Sequence, residues 1–411
     1  MNRVIIISML LFFSCSAWSR TIRVGKEQNI RTIQQALKLA VDGDTVLVDA
    51  GHYHEGNLVI HRSIFLIGIN YPVLDGDHKY EVISVKTKGV LVAGFKIVHS
   101  GVSSIEDIAG IKIYNVGHVT IRDNILEDTF FGIYIQYGTN CIIRDNQLTA
   151  YGVEEQQSGN GIHCWKSDSM QVIANTITGH RDGIYFEFVT HSVIWRNISE
   201  NNLRYGLHFM FSNNDAYYSN VFANNGAGVA VMFSKYVTME NNYFEENWGD
   251  GSYGLLLKEI SNSSIENNRF VKNTTGIFME GVSRVQLERN VFKSNGWAMK
   301  IQASCMEVNV FRNNFLSNTF DVGTNGSLVL NKFNNNYWDK YEGYDLDKDK
   351  LGDVPYRPVS MYAMIIEQNP PAMILFRSFM SSLLDKTEKI MPSLTPEDLK
   401  DDHPFMKSLP L

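Results

Sequence analysis

The chain has 411 residues, 44% of them hydrophobic and 20% charged, and a formal net charge of -7. This suits a globular protein with a sizeable core and excludes a nucleic-acid binder, which would carry a basic stripe. The amino terminus differs in kind from the rest. Arg3, the apolar run Val4–Phe13 and the small-x-small triplet Ala17-Trp18-Ser19 form the three parts of a secretory signal cleaved after about Ser19. Phe12-Phe13-Ser14 before Cys15 is a poor lipobox, so a soluble exported chain is expected rather than a lipoprotein. Export leaves Cys141, Cys164 and Cys305, an odd and widely spaced set that is no disulfide framework and suits small buried side chains.

Next comes NIRTIQQALKLAVDGDTVLV, with Asn29 as an N-cap and Ile33, Ala36, Leu37 and Ala40 at helical spacing. It predicts a capping helix over 29–41 and a first strand at about Thr45. GHYHEGNLVIH then offers His52, His54 and His61, which as turn histidines carry little weight as metal ligands.

From Gly110 an internal repeat sets the fold. Gly-apolar-x-apolar segments begin at Gly110, Gly132, Gly161, Gly183, Gly206, Gly228, Gly254 and Gly276, and Ala298 continues them. The base period is 22 residues, with insertions at 154–160 and 248–253. Fourteen residues after each glycine stands an asparagine, from Asn124 to Asn290. Two further on lies a column of mostly Leu, Ile and Phe, ending in Phe222, Phe244, Phe270 and Phe292. A 22-residue unit is too short for a helix pair or a propeller blade and suits one coil of a parallel β-helix. Stacked asparagines can then link coil to coil, with stacked aromatics inside. The predicted fold is all-β: a right-handed parallel β-helix over 20–340, capped by the helix and closed near Tyr337-Trp338.

Strand alternation assigns the faces. Positions one and three after the glycine, such as Leu207 and Phe209, are apolar throughout and point inward. Positions two and four point outward: His163 and Trp165, Tyr185 and Glu187, His208 and Met210, Ala230 and Met232. His208, Met210 and Met232 thus make a soft donor set suited to Cu(I), with His163 and Glu187 nearby. From spacing alone, a protein-contact patch built on adaptable methionines is an equal reading. A carbohydrate surface on Trp165, Tyr134 and Tyr185 is weaker, because glycoside hydrolysis needs a second carboxylate beside Glu187 and that column holds Gln136 and Tyr114. No nucleophile–base pair emerges either, so no catalysis is expected.

Residues 341–358 form an acidic loop. Asp345, Asp347, Asp349 and Asp353 have the spacing of a calcium loop, but Lys350 replaces the turn glycine and Tyr356 the closing Glu. A solvated turn is the preferred reading over calcium. Residues 359–411 change to helical spacing. Met373, Phe376, Met380 and Leu384 lie on one face, widened by Ile374, Leu375, Phe379 and Leu383. Arg377 and the prolines leave the segment too short to span a membrane. Its role is either a C-terminal cap or a docking arm, with LTPEDLKDDHPFMKSLPL following along the partner.

Three stretches, RYGLHFMFSNND, NNYWDKYEGYDLDKDKLGDVPYRPV and NPPAMILFRSF with LTPEDLKDDHPFMK, are far more specific than the repeat. Through them the chain resembles the NosD family over essentially its mature length. The resemblance implies a periplasmic, non-enzymatic protein that handles copper in maturation of the copper–sulfur centre of nitrous oxide reductase, in denitrification. It implies as partners an ABC transporter permease engaged by the C-terminal arm, a copper-chaperone lipoprotein and the apo reductase, with no nucleic acid. It favours copper, transiently bound, at His208, Met210 and Met232, without fixing which residues ligate.

Overall fold

The computed structural model describes residues 19–103, 105–326, 330–390 and 399–411. The signal-peptide reading lies almost wholly outside them. Three parallel sheets of 14, 12 and 13 strands wind through the described residues, each strand pairing with its counterpart one coil away. The chain is therefore a parallel β-helix, and its register is the predicted one: Ile184 pairs with Leu207 and Leu207 with Val229.

The repeat's glycines answer to packing. A Cβ on Gly206 would lie 2.8 Å from both Gly228 O and Asn225 Nδ2, and one on Gly228 would lie 2.3 Å from Gly254 O. Each coil backbone approaches the next too closely there for any side chain.

The asparagine column forms a continuous ladder. Asn124 Nδ2 donates to Asn146 Oδ1 at 3.1 Å, and equivalent links run through Asn175, Asn197, Asn220, Asn242, Asn268, Asn290 and Asn313 to Asn336. Five residues further on a second ladder, unforeseen in the sequence, links Asn202, Asn225, Asn247, Asn273, Asn295 and Asn318. Both are buried, and the amides are satisfied within the protein, by the next asparagine and by main-chain carbonyls such as Ile121 O for Asn146 and Ile143 O for Asn175. Phe222, Phe244, Phe270, Phe292 and Phe315 stack face to face inside, and Trp338 closes the stack 3.9 Å from Phe315. The three cysteines are buried and unpaired, as expected.

Both ends differ from the sequence reading. A strand at Thr21–Val24 precedes the capping helix and pairs with Thr45–Val48. The helix, α1, spans only Ile33–Leu39, capped by Thr32 rather than Asn29. Ile30 is held extended by bridging Val24, and the Glu55 carboxylate accepts from the Ile33 and Gln34 amides at 2.7 and 2.8 Å.

At the other end, residues 399–411 do not follow the arm toward a partner. They fold back on the last coils, where Phe405 bridges Tyr337 and Leu409 exchanges hydrogen bonds with Asn314 at 2.9 Å. Asp401, fully buried, ends the asparagine ladder. It accepts from Asn336 N and Nδ2 at 2.8 and 3.0 Å, Asn335 N at 2.9 Å and Trp338 Nε1 at 3.1 Å.

Between these ends, α2 (Met361–Gln368) packs Tyr362, Ala363 and Ile366 against Trp297 and Phe320. A turn over Pro370–Leu375 and a left-handed Arg377 (φ 60°) separate it from α3 (Phe379–Ile390). The continuous helical face predicted from Met373 to Leu384 is thus broken. Leu384 reaches the wall cluster, whereas Ile374 and Phe379 are 88% and 82% exposed. Among the described residues no helix is long and apolar enough to cross a membrane.

Candidate metal-binding face

The candidate side chains lie on the outer face of the 12-stranded sheet. Its strands Ile162–Trp165, Asp182–Glu187, Tyr205–Met210 and Ala227–Met232 are consecutive neighbours. Register puts His163, Tyr185, His208 and Ala230 in one column, and Trp165, Glu187, Met210, Met232 and Lys258 in the next. Met210 and Met232 are therefore direct cross-strand partners, with His208 two residues from Met210 on the same face. The Tyr185 hydroxyl reaches the Met210 sulfur at 3.6 Å.

One expectation needs correcting. His163 and His208 face outward yet are only 8% and 7% exposed, and Met210 and Met232 are half-buried. The rings bury one another: centroids of Tyr134 and His163, His163 and Tyr185, and Tyr185 and His208 are 4.5, 4.7 and 4.7 Å apart, and Tyr205 lies 4.9 Å from His208. Tyr185 therefore separates the two imidazoles, so they do not share one ion. Burial pushes the His163 imidazole down to about 3, helped by the Arg181 guanidinium. It stays neutral, and its Nε2 has no partner.

His208 is anchored more elaborately. Its Nδ1 lies 3.5 Å from Asp182 Oδ2 and 3.3 Å from Arg204 Nη2, and Arg204 Nε also donates to Asp182 at 2.9 Å. Burial alone would raise the Asp182 carboxyl, but His208 and Arg204 outweigh it and hold the group ionised. Asp182 and the Arg204 guanidinium compete for Nδ1, and Nε2 has no other partner; in the tautomer that directs Nδ1–H at Asp182, Nε2 presents its lone pair. A carboxylate behind an imidazole is the usual support of a metal-ligating histidine. The donor set of one imidazole and two thioethers is soft and fits Cu(I).

Sequence reasoning missed Phe188, Phe211 and Phe233, one residue beyond Glu187, Met210 and Met232. They are 44%, 37% and 41% exposed, stack at 5.0 Å, and all have φ between 50° and 54°. Bulky residues rarely hold that conformation. The fifth position after each repeat glycine was the available signal. Trp165 is half-buried beneath Lys166 Nζ at 4.7 Å, and Tyr134 is buried, so Tyr134 offers no platform to a sugar.

The acidic loop spends its carboxylates on its own backbone. Asp345 caps the Lys348 and Lys350 amides, Asp347 the Asp349 amide, Asp349 the Leu351 amide and Asp353 the Leu346 amide. His52 and His54 gather with Asp75, while His61 lies outside that group.

Comparison with known proteins follows this geometry. A family model described as "Periplasmic copper-binding protein (NosD)" matches residues 149–343, which contain the whole candidate face. Probable ABC transporter binding proteins NosD of Pseudomonas aeruginosa and Stutzerimonas stutzeri are 27% and 26% identical to the chain. They align over 390 residues (90% of each chain) and 423 residues (98% of this chain, 93% of the relative). These matches make the chain similar to the NosD family. Both relatives are named as binding proteins, and the matched family is described as periplasmic. Solved structures bear on the fold alone. The catalytic unit of a GH87 α-1,3-glucanase from Streptomyces thermodiastaticus has TM-score 0.60 and 12% identity, over 73% of this chain and 63% of that one. The A-module of an Azotobacter vinelandii mannuronan C-5 epimerase has TM-score 0.52 and 16% identity, over 73% and 86%.

Proposed function

We propose that this chain is a NosD-family periplasmic scaffold that accepts copper on the outer face of its middle coils and hands it on. In this reading it works with an ABC transporter and a copper-chaperone lipoprotein in maturation of the copper–sulfur centre of nitrous oxide reductase. The observation that carries it is the register pairing of Met210 with Met232 beside a carboxylate-backed His208. Thioethers have little affinity for hard ions, and a set of three donors whose thioethers are only half-buried suits transfer over storage. Glu187 stands beside the methionines, and His163, beyond Tyr185, is a neutral relay group rather than a ligand of the same ion.

Two exposed apolar surfaces support partner contacts. The Phe188–Phe211–Phe233 ladder borders the thioethers, where a copper donor or acceptor would dock. The exposed side chains of Ile374, Leu375, Phe379 and Leu383 give the arm an apolar face for the transporter's permease. A catalytic role has little support, because Glu187 is flanked on its column by Trp165 and Met210 rather than by a second carboxylate.

The test is Cu(I) titration of the mature protein against a chromophoric chelator, beside His208→Ala/Met210→Ala. We expect one equivalent bound by the parent and lost in the variant. Equal binding by both proteins would remove the site from this face.

A further inference from the structure

On a different sheet from the copper face, the rim after the 13-stranded sheet gathers four histidines in the first coils. His52 Nε2 lies 3.0 Å from Asp75 Oδ2, and His99 Nδ1 lies 3.0 Å from Asp75 Oδ1, so two imidazoles from different coils converge on one buried carboxylate. His54 Nδ1 lies 2.7 Å from Asp77 Oδ1, leaving its Nε2 free of that contact. The rings of His52 and His54 stack at 4.3 Å, and those of His78 and His99 lie 4.6 Å apart. Two triads result, His52–His54–Asp75 and His78–His99–Asp128, each with three donor atoms within 4.8 Å of one another. Donors of a tetrahedral ion at about 2.1 Å stand roughly 3.4 Å apart, a distance that modest side-chain rotation reaches.

Plain ion pairing explains this poorly. Exposed pairs contribute little to stability, so they give no reason to stack imidazoles against one another. The turn position that follows this sheet is also informative. Later coils fill it with Gly179, Asn201, Asn224, Glu246, Lys272 and Ser294, all at positive φ, so the conformation belongs to the coil rather than to the residue. Here it holds His99 and Asp128 at φ 52° and 54°, and His78 has the same conformation. The turn common to these coils here carries imidazole and carboxylate donors side by side. Those donors are of intermediate hardness, unlike the thioethers of the middle coils, and suit a borderline divalent ion such as Zn2+ or Cu2+ rather than Cu(I).

We propose that this rim is a second metal site, one that takes divalent transition-metal ions, one at each triad. It lies outside residues 149–343 and shares no side chain with the copper face.

The test is Zn2+ competition between untagged mature protein and a chromophoric chelator. Two equivalents are expected. His52→Ala/His54→Ala should weaken one of them at least roughly 100-fold, and His78→Ala/His99→Ala the other. The Gln versions of the same substitutions keep the polar contacts and should lose Zn2+ equally, which separates ligation from misfolding. Cu(I) titration should be unchanged in all four, so failure here is distinct from failure at the copper face. The proposal is overturned if the parent takes no Zn2+ from the chelator, or if every variant retains the parent's affinity.

Discussion

On the strand Tyr205–Met210, Leu207 and Phe209 are sealed in the core, whereas His208 and Met210 turn outward, and the two sets obey different constraints. The inward positions of this sheet vary mainly in apolar volume from coil to coil, because each need only fill the tube above its neighbour. Outward positions change chemistry at every step: Tyr185 to His208 to Ala230, and Glu187 to Met210 to Met232. The wall is thus a rigid frame that holds outward donors in register without needing them for its own cohesion. If so, substitutions should separate cleanly, inward ones altering stability and outward ones altering binding.

The largest effect expected is inward. Phe244 stacks between Phe222 and Phe270 at 5.6 and 4.6 Å and is fully buried. Phe244→Ala should cost about 3–5 kcal/mol, read by denaturant unfolding, while Cu(I) affinity of the folded fraction stays at the parent value. A loss of copper at full folding would erase the distinction between the two faces.

A second inward residue gives the opposite sign. Asp215 accepts from Ser192 N at 2.7 Å, but its other oxygen is buried without a partner. Burial pushes its carboxyl up to about 8, against the opposing Ser192 hydrogen bond. The folded state therefore holds a proton that the unfolded chain releases near its ordinary value. Its contribution is fully present below about pH 4 and is lost as pH rises toward 8. Asp215→Asn keeps the accepting oxygen and removes that loss, so it should gain a few kcal/mol at pH 8 and almost nothing at pH 4. Thermal melts of both proteins at the two pH values decide it; parallel pH profiles would mean that Asp215 is ionised in the fold.

Much of this frame was legible in the sequence because the repeat is strict. The glycine, asparagine and apolar columns gave the coil, the register and the direction of His208 and Met210. Burial of the outward column was not legible, since it arises from rings of successive coils lying on each other: His163 on Tyr185 and Tyr185 on His208. Nor was the closing of the ladder by Asp401, which lies 65 residues beyond Asn336 in sequence. The histidine rim was half visible. His52 and His54 drew notice as a local pair, but His78, His99 and Asp75 join them only through the coil stacking of irregular early rungs without the glycine signature.

The smallest stability effect expected is the one that best probes the outer face. Phe211 stacks between Phe188 and Phe233 at φ 50°, a conformation in which asparagine is far more at home than phenylalanine. Phe211→Asn gives up some stacking of partly exposed rings and relieves backbone strain, so the two nearly cancel, within about 0.5 kcal/mol. A ring kept at such a position for cohesion would instead cost 1 kcal/mol or more on removal. If the ladder is where a copper donor docks, the same variant should slow copper transfer from the chaperone while leaving equilibrium Cu(I) affinity intact, since neither thioether nor imidazole is altered. Transfer at the parent rate would leave the donor to dock elsewhere, with the exposed apolar face of the C-terminal arm the next surface to test.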